Sequence, residues 1–286
     1  MVAIRLGPGT KGEAAVGGSP LARFAAVWRS GPLTFIAPPR LTQEQARTTV
    51  ASWETSLIGA LETFEGFVLD PHRSAVRAEN KPFQLHLAQA MGLDLPRTVI
   101  TNDPAEVLAF AKRAELVLKL LVPQSLLRKG DAGAEIPVLW TQPLAEADLA
   151  DLTGLRTCPM IFQERIAKAR DVRVTFVGDR LFPVSVDPNL VDEPHVDWRQ
   201  DGLALRGHWR PHALPGDVAR KLEAMRIELG LNYGAFDLIE TPEGRHVFLE
   251  VNSFGVFSFI GEGLAAPIAE AIAGILLSPP AGANHG

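Results

Sequence analysis

The sequence predicts a mixed α/β or α+β protein, and three features carry that expectation. The first half alternates short apolar runs with helical patterns. The second half carries consecutive hairpin patterns, so its strands should be mainly antiparallel. An amphipathic helical stretch, 217–229, separates those hairpins.

In chain order, residues 1–20 are rich in Gly, Ala and Pro and read as a loosely ordered loop. The stretch GPGTKGEAAVGGSP lacks the spacing of a phosphate-binding loop and a strand–helix frame. Residues 41–69 read as a helix and then a short strand, FVLD. Thr42 and Gln45 form a capping box there, and Trp53, Leu57, Ala60, Leu61 and Phe64 give a buried stripe ended by Gly66. A second helix spans 80–91, with Pro82 in its first turn and Gly92 after its end. Residues 93–100 are extended, and Asp103-Pro104 starts a helix over 105–114. LVLKLL, 116–121, is a buried strand with one lysine, followed by a loop over 122–137. A strand at 138–141 and a short helix over 145–152 come next. Strands are expected over 160–166, 172–177 and 180–186, the last two joined by Gly178-Asp179. Residues 187–212 are polar and irregular. The 217–229 helix ends at Gly230. Strands 233–240 and 246–251 flank the turn 241–244, and a docking helix covers 264–277.

Composition excludes several classes. A net charge of -5 over 286 residues gives no electrostatic basis for binding nucleic acid or an anionic membrane. The single cysteine, Cys158, excludes an intrachain disulfide and a multi-cysteine metal site, and reads as a small core residue. The C-terminal apolar run is interrupted by Pro267 and Glu270 and is short of the ~20 residues that span a bilayer. The N-terminus lacks the pattern of a signal peptide, so the cytoplasm is the expected location.

The hairpin GAFDLIETPEGRHVFLEVN carries acids on apolar strands. Pairing Glu240 with Arg245 sets Asp237 opposite Phe248 and Ala235 opposite Glu250. Asp237, Glu250 and Asn252 then share one face, with the two carboxylates as diagonal neighbours about 7–8 Å apart at Cα. Phe236, Leu238, Val247, Leu249 and Val251 fill the other face. Two acids on one face repel unless a cation sits between them, and magnesium suits oxygen ligands of this kind; a solvated face with scattered acids is the plainer reading. An odd-length loop would break the inference.

Lys119 lies within LVLKLL, where its ammonium either meets an anion such as phosphate or snorkels to water. Lys81 sits at a helix N-terminus, where the dipole disfavours a cation unless an anion is also there. PMIFQERI turns polar at Gln163 and Glu164, after which Lys168, Asp171 and Arg173 alternate. Arg173 suits bidentate binding of phosphate or carboxylate, or a surface ion-pair lattice.

These pieces occur in an order that resembles the ATP-grasp ligases, and in particular the graspetide, or microviridin-type, ribosomal-peptide macrocyclases. The matching text is NKPFQLHLAQAMGLDLPRTVITNDP, PMIFQERIAKARDVRVTFVGDR and YGAFDLIETPEGRHVFLEVN, and the resemblance covers roughly residues 50 to 277. It implies an ATP-grasp fold: an N-terminal part (1–79), a central subdomain (80–165), a C-terminal subdomain (166–278) and a tail (279–286). The resemblance implies ATP and Mg2+ as cofactors. Lys81 and Lys119 would contact ATP phosphates, Gln163, Glu164 and Ile166 would meet adenine, and Arg173 would face the γ-phosphate or acyl phosphate. Asp237, Glu250 and Asn252 would hold magnesium. Position 167 is Ala where many relatives carry an acid for ribose, leaving Asp171 as the substitute. Ser253 stands where a proline is common, at the wall of the acceptor pocket. Asp197 and Arg199, within 187–212, are further candidates for the acceptor or peptide groove.

The implied chemistry is attack of a carboxylate on the γ-phosphate, then displacement of phosphate by a hydroxyl or amine. The expected partner is a precursor peptide or a small carboxylate, with no nucleic acid, no membrane and a possible homodimer. Three functions fit: a peptide macrocyclase, a ligase of free amino acids or small acids, and a non-catalytic peptide-binding module of the same fold. Retention of Asp237, Glu250, Asn252, Lys119 and Arg173 counts against the third.

Overall fold

The computed structural model describes residues 2–5, 13–31, 35–122 and 140–280. The central feature is a five-stranded antiparallel sheet. It is built from β10 (Arg170–Val177), β11 (Arg180–Val186), β12 (Arg210–Pro211), β13 (Tyr233–Glu240) and β14 (His246–Asn252), in the order β12-β11-β10-β13-β14. Alternation along β10 sends Val172, Val174 and Phe176 into one core and Arg173 and Val177 to the opposite face. On the first face lie α3 (Lys81–Ala90) and α6 (Gly216–Leu229). The buried stripe of α6 is Val218, Leu222, Met225 and Leu229, and Gly230 ends the helix at φ 67°, a left-handed cap that glycine adopts without strain. On the opposite face, α7 (Glu262–Leu277) buries Ile268, Ala271 and Ile272 together with β4 (Ala26–Trp28) and β5 (Phe67–Leu69), which pair in parallel.

A second sheet has the order β6-β9-β7-β8 and is also antiparallel. Its strands are β6 (Thr98–Thr101), β7 (Leu116–Lys119), β8 (Gln142–Pro143) and β9 (Met160–Glu164). Val107 and Phe110 of α4 (Pro104–Ala111) pack with Leu116, Leu155 and Phe162 to close its small core. Asp103 caps α4 as expected, its side chain accepting from Ala105 N at 3.0 Å.

Several expectations are corrected. Within 1–20, the described residues form a three-stranded sheet, β1 (Val2–Arg5), β2 (Glu13–Val16) and β3 (Ser19–Pro20), not a loose loop. α1 (Gln43–Glu62) has the capping box at Thr42 and Gln45, but packs on β1 and β2 only thinly. Ala60 alone of its residues is buried, and Trp53 is exposed, stacked on Phe35. A short helix, α2 (His72–Ala78), precedes α3 and had no clear sequence signal. α5 is limited to Glu146–Leu149, β9 ends at Glu164 rather than 166, and α7 starts at Glu262. Cys158 is exposed, not a core residue. The loop expected over 122–137 and the strand expected over 138–141 fall largely on residues 123–139, outside those described. No described helix is long and apolar enough to cross a membrane.

Candidate active site

The β13–β14 hairpin brings its acids together by a route the sequence did not show. The loop 241–245 has five residues, and Glu240 pairs with His246 rather than Arg245. Continued without a break, that register would set Asp237 opposite Leu249 and turn Glu250 toward the core. A β-bulge at Leu249 absorbs one residue, so Leu238 pairs with Phe248 while Asp237 pairs with Glu250. The two carboxylates are direct cross-strand partners rather than diagonal ones, and Asn252 follows opposite Ala235. Phe248 joins Phe236, Leu238 and Val251 in the core, whereas Leu249 and Ile239 line a cavity on the acidic face.

Directly opposed like charges need compensation. Arg173, paired with Asp237 across β10 and β13, donates from Nη1 to Oδ1 at 2.8 Å and Oδ2 at 3.0 Å. Lys81 Nζ donates to Glu250 Oε2. Arg199 reaches Glu250 Oε1 at 3.5 Å and grips buried Asp197 through Nε at 2.8 Å and Nη2 at 2.7 Å. Lys119, on β7, makes no hydrogen bond among the described residues, although Glu250, Lys81, Asp197 and Arg199 all act on its charge.

Burial works against ionisation of both acids. In Glu250 the surrounding Lys81, Arg199 and Lys119 more than offset it and hold the carboxyl below the usual range. In Asp237 burial prevails over Arg173 and the pKa rises. Burial lowers the Lys119 pKa, and lifts Asp171 to about 6 despite Lys168 Nζ at 2.8 Å.

Helix α3 delivers Lys81. Asn80 caps it by accepting from Phe83 N at 3.0 Å. One turn on, the buried Gln84 amide donates to Val251 O at 2.8 Å and accepts from Val251 N at 3.0 Å. Gln84 thus pairs with the edge strand β14 as another strand would, and fixes Lys81 beside Glu250. The cation at the helix start, costly by itself, is balanced by that carboxylate.

The cavity, about 240 Å3, lies between the two sheets. Its lining includes Gln163, Glu164, Ile166 and Asp171 together with Lys119, Asp197, Arg199, Asp237 and Glu250. Gln163 is buried, its Nε2 donating to Thr98 Oγ1 at 3.0 Å, and Glu164 forks with Arg97 at 2.8 and 3.1 Å. Past β9, no hydrogen bond engages the Ile166 N–H among the described residues, so that edge can receive a planar ligand. Arg173 stands behind Asp237, and Lys81 behind Glu250. Asn252 and Ser253 lie outside the lining: Asn252 Oδ1 accepts from Phe254 N at 2.9 Å, and Ser253 Oγ donates to Glu79 Oε1 at 2.7 Å. Lys168, Trp198 and His195 also line the cavity; His195 is tied to Asp201 at 2.6 Å. Lys168 was visible in the sequence as part of the Lys168, Asp171, Arg173 alternation, whereas only the polar character of 187–212 pointed to His195 and Trp198.

The donor set suits a hard cation. Asp237 and Glu250 offer oxygen only, and no group of three His, Cys, Asp or Glu converges among the described residues. Magnesium takes one or two carboxylates and fills its shell from water and phosphate.

No family model matches the sequence. Among solved structures, the macrocyclase MdnC of Microcystis aeruginosa MRC, bound with precursor peptide MdnA, is 30% identical with a TM-score of 0.82, covering 98% of this chain and 87% of that one. The chain belongs to the ATP-grasp macrocyclases. A second ATP-grasp relative, the RiPP-associated ligase of Chryseobacterium gregarium in complex with ADP and a leader and core peptide, is 26% identical with a TM-score of 0.84, over 98% and 85% of the two chains. Among curated proteins, the probable alpha-L-glutamate ligase of Chromohalobacter salexigens is 27% identical over 233 residues, 78% of this chain and 72% of the relative. That of Sodalis glossinidius is 26% identical over 214 residues, and the match spans 64% of its length.

Proposed function

We propose that this ATP-grasp protein is an ATP- and magnesium-dependent ligase that closes ester or amide links between side chains of a precursor peptide. One observation carries the reading: two opposed carboxylates, Asp237 and Glu250, ringed by Lys81, Arg199 and Arg173, in a cavity also lined by Lys119, whose ammonium has no hydrogen bond among the described residues. Phosphate is the kind of partner the Lys119 ammonium would take there, with a cation between the two carboxylates. Lys119 and Lys81 would hold phosphates, and the backbone near Gln163, Glu164 and Ile166 would take adenine. Asp237, Glu250 and Asn252 would hold magnesium, which when bound supplies charge neutralisation at the phosphates. Asp171 would serve the ribose.

In the proposed reaction a substrate carboxylate oxygen forms a bond to the γ-phosphorus as the bond to the β-phosphate oxygen breaks, releasing ADP. Arg173 would face the charge on the transferred group. A hydroxyl or amine of the same peptide then attacks the acyl carbon, and phosphate leaves as the acceptor loses its proton. Asp197, Arg199 and Ser253 are the proposed acceptor-side residues. The four-stranded sheet, within 98–164, and the five-stranded sheet, within 170–252, support a two-subdomain clasp. The proposed divisions are 1–79, 80–165 and 166–278, although α3 packs on the later sheet. A precursor peptide as partner and a homodimer as assembly belong to the same proposal; light scattering reads the latter.

The test is incubation with ATP, magnesium and a Ser/Thr/Lys- and Asp/Glu-rich candidate peptide, read by mass spectrometry and ADP release. Loss of one water per link is expected, and Glu250→Gln should abolish ADP formation with the fold retained by circular dichroism, at a lower melting temperature because Lys81 and Arg199 lose their carboxylate. No ADP and no mass change across a broad peptide panel would refute the reading. The glutamate-ligase relatives favour a second reading, addition of a free amino acid, and the same assay with glutamate as acceptor separates the two.

A further inference from the structure

The segment after β14 is fastened residue by residue. Ser253 N and Oγ both donate to Glu79 Oε1 at 2.7 Å. The Phe254 ring lies 4.4 Å from the Arg29 guanidinium. The Gly255 carbonyl accepts from the Tyr233 hydroxyl, and the Val256 carbonyl accepts from Arg173 Nη2 at 3.1 Å. Arg173 therefore has two anchors, Asp237 on Nη1 and this segment on Nη2, while its Nε is buried without a hydrogen-bond partner among the described residues. A guanidinium held at one end by a carboxylate and at the other by a single carbonyl is only as well placed as that carbonyl.

Gly255 sits at the contact. A Cβ there would lie 2.8 Å from Arg173 Nη2, 2.7 Å from Ala235 Cβ and 3.3 Å from Ala235 N. Its backbone is not left-handed, so space rather than conformation requires glycine at this point. Ala235 belongs to a central strand, β13, and does not yield. Any side chain at 255 must move Arg173 or lift the segment that carries the Val256 carbonyl. The first disturbs the guanidinium at Asp237 directly, and the second withdraws the Val256 carbonyl that holds its other end.

We propose that Gly255 is a positioning residue: its missing side chain, with the Tyr233 hydroxyl on its carbonyl, sets where Arg173 stands over Asp237. The kinetic consequence rests on the ligase reading; the geometric one does not. The Phe259 ring, 5.7 Å from the Arg173 guanidinium, closes the remaining side, so the guanidinium has little room to find another seat.

The test is Gly255→Ala, examined three ways. Its crystal structure should show the Arg173–Asp237 contact opened beyond hydrogen-bond distance, a readout that needs no substrate and stands even if the protein proves not to be a ligase. In ADP formation, kcat should fall about 10- to 100-fold, as displacements of this size do, with KM for ATP unchanged. Arg173→Lys lacks the second guanidinium nitrogen, so the double variant G255A/R173K should be no slower than R173K alone. Should G255A not fold, Tyr233→Phe keeps the ring, frees the Gly255 carbonyl and should show the same kcat-only loss in smaller degree. An intact Arg173–Asp237 contact in G255A, or losses that multiply in the double variant, would overturn the proposal. So would an unchanged kcat in both G255A and Y233F.

Discussion

Burial raises the cost of charge at Glu250, Asp237 and Asp70, and neighbours decide the outcome. Glu250 has three cations around it and stays ionised; Asp237 has one close partner and is pushed up. Asp70 shows the same physics outside the cavity. It accepts from Asn232 N and Tyr233 N at 2.8 Å each, yet burial outweighs those bonds and lifts its pKa to about 7. A carboxyl raised in the folded state favours folding when protonated. Its contribution is therefore complete below pH ~4, the unfolded value, and is lost as pH rises through about 7. The full effect is on the order of 4 kcal/mol. Asp70→Asn removes this titration, so its stability should change less between pH 4 and 8 than that of the wild type. Urea unfolding at several pH values measures the difference, and parallel curves for the two proteins would show that Asp70 does not titrate in this window.

At the level of elements, local periodicity was legible and irregularity was not. The capping box of α1, the α6 stripe and the strand runs of β10, β11, β13 and β14 all follow from spacing within a few residues. The bulge at Leu249 has no such signal, since Phe-Leu-Glu reads as ordinary alternation. The five-residue loop shifts the register by one and the bulge shifts it by one again, so the expected shared face of Asp237 and Glu250 emerged from the wrong pairing. The early residues failed for another reason: Gly and Ala carry little pattern, and β1 and β2 gain meaning only against α1. Asn252 was placed by hairpin parity and Ser253 by resemblance, and each side chain also has a local partner the sequence did not show, Phe254 N and Glu79. The Gln84 contact between α3 and β14 was equally invisible, because its partner is backbone rather than a side chain. Gln84→Leu would leave the Val251 N–H and C=O buried and unpaired at a cost of about 2–4 kcal/mol, and should also weaken ATP binding by loosening Lys81. Denaturant unfolding with nucleotide titration tests both effects. Wild-type values for the two would mean that α3 is held by its apolar contacts alone.

Across the whole molecule, both sheets contribute to the cavity, and residues 140–141, just before β8, meet the 197–199 segment at its rim. Thr141 N donates to Asp197 Oδ2 at 3.4 Å, and the Arg199 guanidinium lies 5.5 Å from the Trp140 ring. Asp197 holds Arg199, and Arg199 in turn reaches Glu250 on β14, so the rim contact is joined to the acidic pair through one guanidinium. Lys119 comes from the opposite sheet and is the cation there with no hydrogen bond among the described residues. Holding it half-buried costs stability without ligand, and an anionic ligand turns that cost into affinity. Lys119→Met removes the desolvated charge while nearly preserving volume. The variant should melt no lower than the wild type when free. A non-hydrolysable ATP analogue with magnesium, at about 100 times its Kd, should raise the wild-type melting temperature by about 5 to 10 °C. Most of that rise should vanish in K119M at the same ligand concentration. A K119M protein that melts earlier when free, yet responds fully to the analogue, would mean that Lys119 stabilises the sheet and does not meet the phosphates.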